Sequence, residues 1–158
     1  MRQNLPVTQR ERTFAADERL ISTTDLNSKI TYCNDAFVAI SGFTREELIG
    51  QPHNIVRHPD MPPSVFGHMW DTIKQGKPWM GIVKNRSKNG DFYWVSAYVT
   101  PVYEDGRMVG YESVRSLPSE AQKRRSAVRS GSTLACARAS LPCHICRSGP
   151  TAWCVRGR

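Results

Sequence analysis

Apolar and polar positions fall into two periods, and the order of those periods along the chain is the first clue to its fold. Leu20 to Thr24 and Ile30 to Cys33 read as short strands. Asp25-Leu26-Asn27-Ser28 between them is turn chemistry, since Asp, Asn and Ser stabilise turns with their own side chains. Asn34-Asp35 opens a short helix, Ala36 to Ile40, which places Phe37 and Ile40 on one face before Ser41-Gly42 ends it. Thr44-Arg45-Glu46-Glu47 is a capping box, followed by Leu48-Ile49 and a terminating Gly50. Helices this short do not hold alone and need a sheet to pack on. The longest helix is expected from Pro63 to Gln75. Val65, Phe66, Met69, Trp70 and Ile73 form its apolar stripe, Pro62 and Pro63 suit its entry, and Gly76 stops it.

Three strands follow: Trp79 to Arg86, Phe92 to Tyr103 and Met108 to Arg115. Asn89-Gly90 marks the first hairpin and Glu104-Asp105-Gly106 the second. Pro101 inside the long strand is expected at a bulge or beside an unpaired edge. The fold class is therefore α+β: a five-stranded antiparallel sheet with short helices on one face. Such helices cannot cover the sheet completely, so a pocket between the two layers is expected.

Composition changes this picture at the ends. The 158 residues suit one domain with a tail, and 39% hydrophobic content is enough for a core. Residues 1–18 are polar and read as an N-terminal cap, 19–118 as the domain, and 119–158 as a basic, Cys- and Arg-rich tail expected to be disordered. The net charge of +8 comes entirely from residues 121–158, which hold eight Lys/Arg and no acid; the first 120 residues hold 14 of each sign. The folded part is thus neutral, and no nucleic-acid partner is expected from it. No apolar run reaches the roughly 18 residues of a membrane span, and the start of the chain lacks a signal-peptide apolar region. A cytoplasmic location is expected. Cys33 is alone in the first 120 residues, which suits a small buried hydrophobe in a reduced compartment.

Candidate chemistry concentrates in His53-Asn54-Ile55-Val56-Arg57-His58-Pro59-Asp60, with two histidines, one arginine and one acid just before the long helix. These groups could converge on one ligand. The plainer reading is a solvated loop whose Asp60 caps the helix. No nucleophile–base–orienter set is evident, so a turnover enzyme is not expected.

As a set, Ser22-Thr23-Thr24-Asp25, Asn34-Asp35-Ala36-Phe37, Ser41-Gly42-Phe43-Thr44, Glu47-Leu48-Ile49-Gly50, Lys88-Asn89-Gly90 and Gly110-Tyr111 resemble a PAS sensor domain over roughly residues 7–117. Gln51 to Pro62 and Pro78 to Arg86 resemble, more narrowly, the FAD-binding PAS domains of the bacterial aerotaxis-receptor family. That resemblance implies noncovalent FAD binding, with Arg57, His58 and Asp60 at positions tied to it and Asn34, Trp70, Trp79 and Asn85 lining the pocket; His53 joins the candidate set. It also implies PAS homodimers, a receptor signalling domain as partner, and a place at the cytoplasmic face of the inner membrane in a full-length receptor. Arg offers a planar fork for phosphate or ribityl oxygens, Trp faces can pack on a three-ring head group, and the Asn85 amide can face its polar edge. Blue-light members carry an adduct-forming Cys in the segment matching His53 to His58; this chain has none there, which favours a redox sensor. A haem-binding PAS sensor using His53 or His58, and a ligand-free PAS interaction domain, are the alternatives. A flavin-dependent reductase lacks a nicotinamide fingerprint.

From about Lys123 the resemblance stops. Cys143-His144-Ile145-Cys146, with Cys136 and Cys154, invites a zinc reading, but one Cys-x-x-Cys without matching outer spacings is weak. A basic nucleic-acid tail and an out-of-frame stretch closing a truncated receptor are the other readings; the last is preferred.

Overall fold

The computed structural model describes residues 4–126. Five strands, β1 (Leu20–Asp25), β2 (Ile30–Cys33), β3 (Trp79–Arg86), β4 (Phe92–Glu104) and β5 (Arg107–Ser116), form one sheet in the order β2-β1-β5-β4-β3. Every neighbouring pair is antiparallel. Three of the four pairs are hairpins joined by short turns. The fourth, β1 with β5, unites the two ends of the domain and carries Leu20 opposite Arg115 and Ser22 opposite Ser113.

Between β2 and β3 the chain forms α1 (Asp35–Ser41), α2 (Arg45–Leu48), a single 3-10 turn at His53–Val56, and α3 (Pro63–Lys74). Local chemistry sets their ends. The Asn34 side chain caps α1 by accepting from the Phe37 N–H, and Thr44 with Glu47 closes the capping box of α2. Pro63 begins α3, with Pro62 at its N-cap and no side-chain cap. The reading of Asp60 as the cap of this helix is therefore incorrect: its carboxylate is drawn instead to Lys84 on β3.

The expected strands and helices are present, with ends displaced by a residue or so. Pro101 lies past the point where β3 begins opposite Val99 and just before the bulge between Val102 and Tyr103. Its missing N–H is tolerated there because β3 makes no ladder with that stretch. One core joins the layers through Leu20, Ile30, Phe37, Leu48, Ile73 and Val95, all buried. Each such side chain contributes about 1.5–3 kcal/mol.

Residues 4–12 are an extended strap along the β3–β4 hairpin. Thr8 donates to the Gly90 carbonyl at 2.9 Å, and Arg86 reaches back to the carbonyls of Pro6 (2.7 Å) and Leu5 (3.0 Å). Gly90 has φ +100°, and a Cβ there would stand 2.9 Å from the Pro6 carbonyl oxygen, so the strap's approach requires glycine. The tail expectation is corrected at its start: residues 120–126 are helical, and Lys123 is held between Glu11 (2.6 Å) and Glu120 (2.8 Å). The tail cysteines, and with them the zinc, nucleic-acid and out-of-frame readings, lie outside the described residues. Among the described residues no helix is long and apolar enough to cross a membrane.

Candidate functional site

Strand register makes the inner face of the sheet hollow. One row across it reads Ser22, Ser113, Val99, Trp79, and the next reads Leu20, Arg115, Ala97, Gly81. Ser22, Ser113, Ala97 and Gly81 are too small to reach the helical layer. The result is a cavity of about 360 Å³, inside the range of about 300–1,000 Å³ common for small-molecule sites. Phe66, Met69, Trp70 and Ile73 of α3 form the facing wall, and His53, Val56 and Arg57 close one side.

The aromatic walls are held by specific contacts. Trp79 lies across Gly81, where any Cβ would overlap its indole. Its Nε1 donates to His68 Nδ1 at 3.0 Å, which leaves the His68 proton on Nε2 in the neutral ring. Trp70 meets Tyr111 edge to face at 5.6 Å between centroids.

Two arginines face this cavity, and among the described residues no acidic side chain lines it. Arg57 is buried, donates from Nη2 to the Met61 carbonyl at 2.9 Å, and sits 4.6 Å from the centre of the Phe66 ring. Its Nε is buried without a partner. Burial lowers its pKa from the usual arginine value. A backbone bridge joins Arg57 to Asn85 on β3, which brings the loop and the strand together at the cavity wall. Asn85 is buried opposite Tyr93, whose hydroxyl burial pushes up in pKa.

Arg115 is the second cation. Burial, partly offset by Tyr93, lowers its pKa to about 10. His53 is surrounded by protein yet open to the cavity, and burial followed by Arg115 lowers its pKa to about 3. The ring is therefore neutral near pH 7. Phe37 stacks on it at 5.8 Å.

Of the candidate residues, His53, Arg57, Trp70, Trp79 and Asn85 converge on the cavity. Asn34, His58 and Asp60 do not line it. Asn34 is fully engaged in structure: Oδ1 accepts from Ile21 (3.0 Å) and Phe37 (3.1 Å), and Nδ2 donates to the Arg19 carbonyl at 2.8 Å. His58 is buried against the edge of Phe92, and its Nδ1 accepts the Asp60 N–H at 3.1 Å. Burial and then Lys84 lower its pKa to about 4. Burial opposes ionisation of Asp60, but Lys84, 2.8 Å away, outweighs it and holds the carboxyl below its ordinary value. His58 and Asp60 thus tie the segment after Arg57 to β3. Cys33 is buried in the core away from the cavity, with Arg45 on its carbonyl.

Arg115, Ser113, Ser22 and Phe66 were not among the candidates. A signal for Arg115 does exist: Tyr111, Ser113 and Arg115 alternate on one face of a strand, so one inward residue forces the other two inward. Among the described residues no cluster of three His, Cys, Asp or Glu could hold a metal.

Comparison with known proteins agrees with this architecture. Residues 30–115 match the PAS fold family. The aerotaxis receptor of Escherichia coli K12 is 57% identical over 110 residues, which span 70% of this chain and 22% of that protein. The nitrogen fixation regulatory protein of Klebsiella pneumoniae is 34% identical over 82 residues, 52% of this chain and 17% of that protein. The chain spans about a fifth of the length of these relatives. Among solved structures, the dark state of the blue-light photoreceptor Aureochrome1 LOV superimposes with TM-score 0.63 at 19% identity, covering 72% of this chain and 86% of that one. A PAS domain from Colwellia psychrerythraea gives TM-score 0.53 at 26% identity, covering 65% and 87%. The chain belongs to the PAS family.

Proposed function

We propose that this PAS domain binds FAD noncovalently and is the redox-sensing module of an energy- or oxygen-taxis receptor. The observation that carries this reading is a hollow with aromatic walls, two buried guanidinium groups and, among the described residues, no acid. A flat, acceptor-rich ring system fits it: Trp79, Trp70 and Phe66 offer faces, while Arg57 Nε and Ser113 Oγ are buried donors without partners. The aerotaxis receptor, at 57% identity, supports the sensory role. The haem alternative finds less support, because His53 Nε2 is engaged by Arg115 and His58 lies outside the cavity.

Arg57, Asn85, Trp79, Trp70 and His53 would hold the cofactor directly; His58, Asp60 and Asn34 would act by holding the wall in place. A bound flavin would supply a ring nitrogen that changes from acceptor to donor on reduction. The Asn85 amide facing it would then turn over or lose a hydrogen bond, at a cost of about 1–3 kcal/mol. That shifts a two-state equilibrium roughly 5- to 150-fold. The sheet would pass the change to a signalling domain and a second PAS copy, at the cytoplasmic face of the membrane in a full-length receptor.

The test is an absorption spectrum of the chain purified with excess FAD. Retained paired flavin bands support the reading, a Soret band would mean haem, and a folded, colourless protein would leave an interaction domain.

A further inference from the structure

We infer that Arg115 and Ser113, on the inner face of β5, form a polar subsite that takes a hydrogen-bond-accepting edge of the flat head group. This rests on the flavin reading above and assigns two residues to it beyond the candidates the sequence suggests. Arg115 is 3% exposed and lines the cavity. Its partners are all neutral: Ser22 Oγ at 3.0 Å, His53 Nε2 at 2.7 Å, and the Leu20 carbonyl at a long 3.4 Å. The Phe37 ring, 5.0 Å away, covers one face of the guanidinium. Among the described residues no carboxylate pairs with it.

A guanidinium has five N–H donors and no acceptor, so its burial calls for acceptors that the protein supplies only in part. Ser113 adds an independent observation. It is 8% exposed and lines the same cavity, and its Oγ is buried with no partner. Residues two apart on a strand project from the same face about 7 Å apart, so both side chains serve one end of the hollow. A ligand reaching that end with a carbonyl or imide edge satisfies both. The dione edge of a flavin has this chemistry, and an all-hydrocarbon ring does not.

The experiment titrates the full chain with FAD and compares Ser113→Ala, Arg115→Gln and Arg115→Lys, with isotope-edited infrared spectra of the bound flavin carbonyls. Ser113→Ala removes a hydroxyl that bonds to none of the described residues, so it is expected to fold normally and decides the matter if Arg115→Gln does not fold. We expect FAD to bind about tenfold more weakly to Ser113→Ala, the loss of one hydrogen bond from a buried acceptor. A flavin carbonyl band should move to higher frequency in Ser113→Ala and Arg115→Gln, and Arg115→Lys should recover part of the binding. Folded Ser113→Ala with wild-type affinity and unshifted carbonyl bands overturns the subsite and leaves the flavin reading intact. A wild-type chain that takes up no FAD overturns the flavin reading, and the subsite with it.

Discussion

The guanidinium of Arg115 donates to Nε2 of His53 at 2.7 Å, within the wall of the cavity. A protonated Nε2 could not accept that bond, so the contact requires a neutral imidazole with its hydrogen on Nδ1. The pair therefore couples the cavity to pH.

Stability should fall as pH is lowered from about 6.5. His53 and His58 have pKa values near 3 and 4 in the fold, against about 6.5 when unfolded. Between these limits the unfolded chain binds more protons, so unfolding is favoured as pH drops, and the stabilisation is complete only above about pH 6.5. Each histidine contributes a slope approaching about 1.4 kcal/mol per pH unit inside its window. Urea unfolding at pH 7, 6 and 5 measures it, and His53→Gln should remove about one proton from the slope. A wild-type profile flat across that range would show that the histidines are not held neutral.

Gly81→Val should damage the cavity more than the fold. The valine side chain would occupy the place of the Trp79 indole and drive it toward the hollow. Expected outcomes are at least tenfold weaker FAD binding and altered Trp fluorescence, with β-sheet circular dichroism retained. Wild-type FAD affinity in this variant would mean that Trp79 does not shape the site.

Asn4→Ala should loosen the wall that carries Arg57. The Asn4 amide is buried and donates to the carbonyls of Asn54 at 2.8 Å and Arg57 at 2.9 Å. Removing it takes a donor from both carbonyls and leaves Asn54 only the Arg57 N–H at 3.1 Å, at a cost of about 1–3 kcal/mol. Asn4→Asp should be worse, since it sets a carboxylate against two carbonyl oxygens. Thermal unfolding of both variants checks the order.

Asn85→Ala tests the relay. The variant should lose redox-dependent signalling when placed in a complete receptor, and FAD titration of the isolated chain reports its binding separately. Normal binding together with normal redox response would eliminate Asn85 as the switch.

The elements were legible because their causes are local. The Asn34 cap, the Thr44–Glu47 capping box and the turn at Asn89-Gly90 each act within a few residues, so their spacing in the chain is enough to show them. The site was legible only in part. His53 and Arg57 stand close together in the chain and do line the cavity, whereas His58 and Asp60, equally prominent, turn to Phe92 and Lys84. Polar density along a loop shows which groups are available but not the direction each one takes.

By itself the sequence determined the order of strands and helices and their ends to within a residue or so, and the balance of charge over the first 120 residues. Tertiary structure decided where the hollow lies and what faces it. Arg115 meets Leu20 and Ser22 across more than ninety positions of chain, and only the β1–β5 register aligns Ser22 with Ser113 and sets Arg115 one row away. Ser22 and Ser113 leave space together, as do Ala97 and Gly81, because each small residue has another small one beside it on an adjacent strand. That condition arises between distant segments, so it comes into being only when the sheet closes.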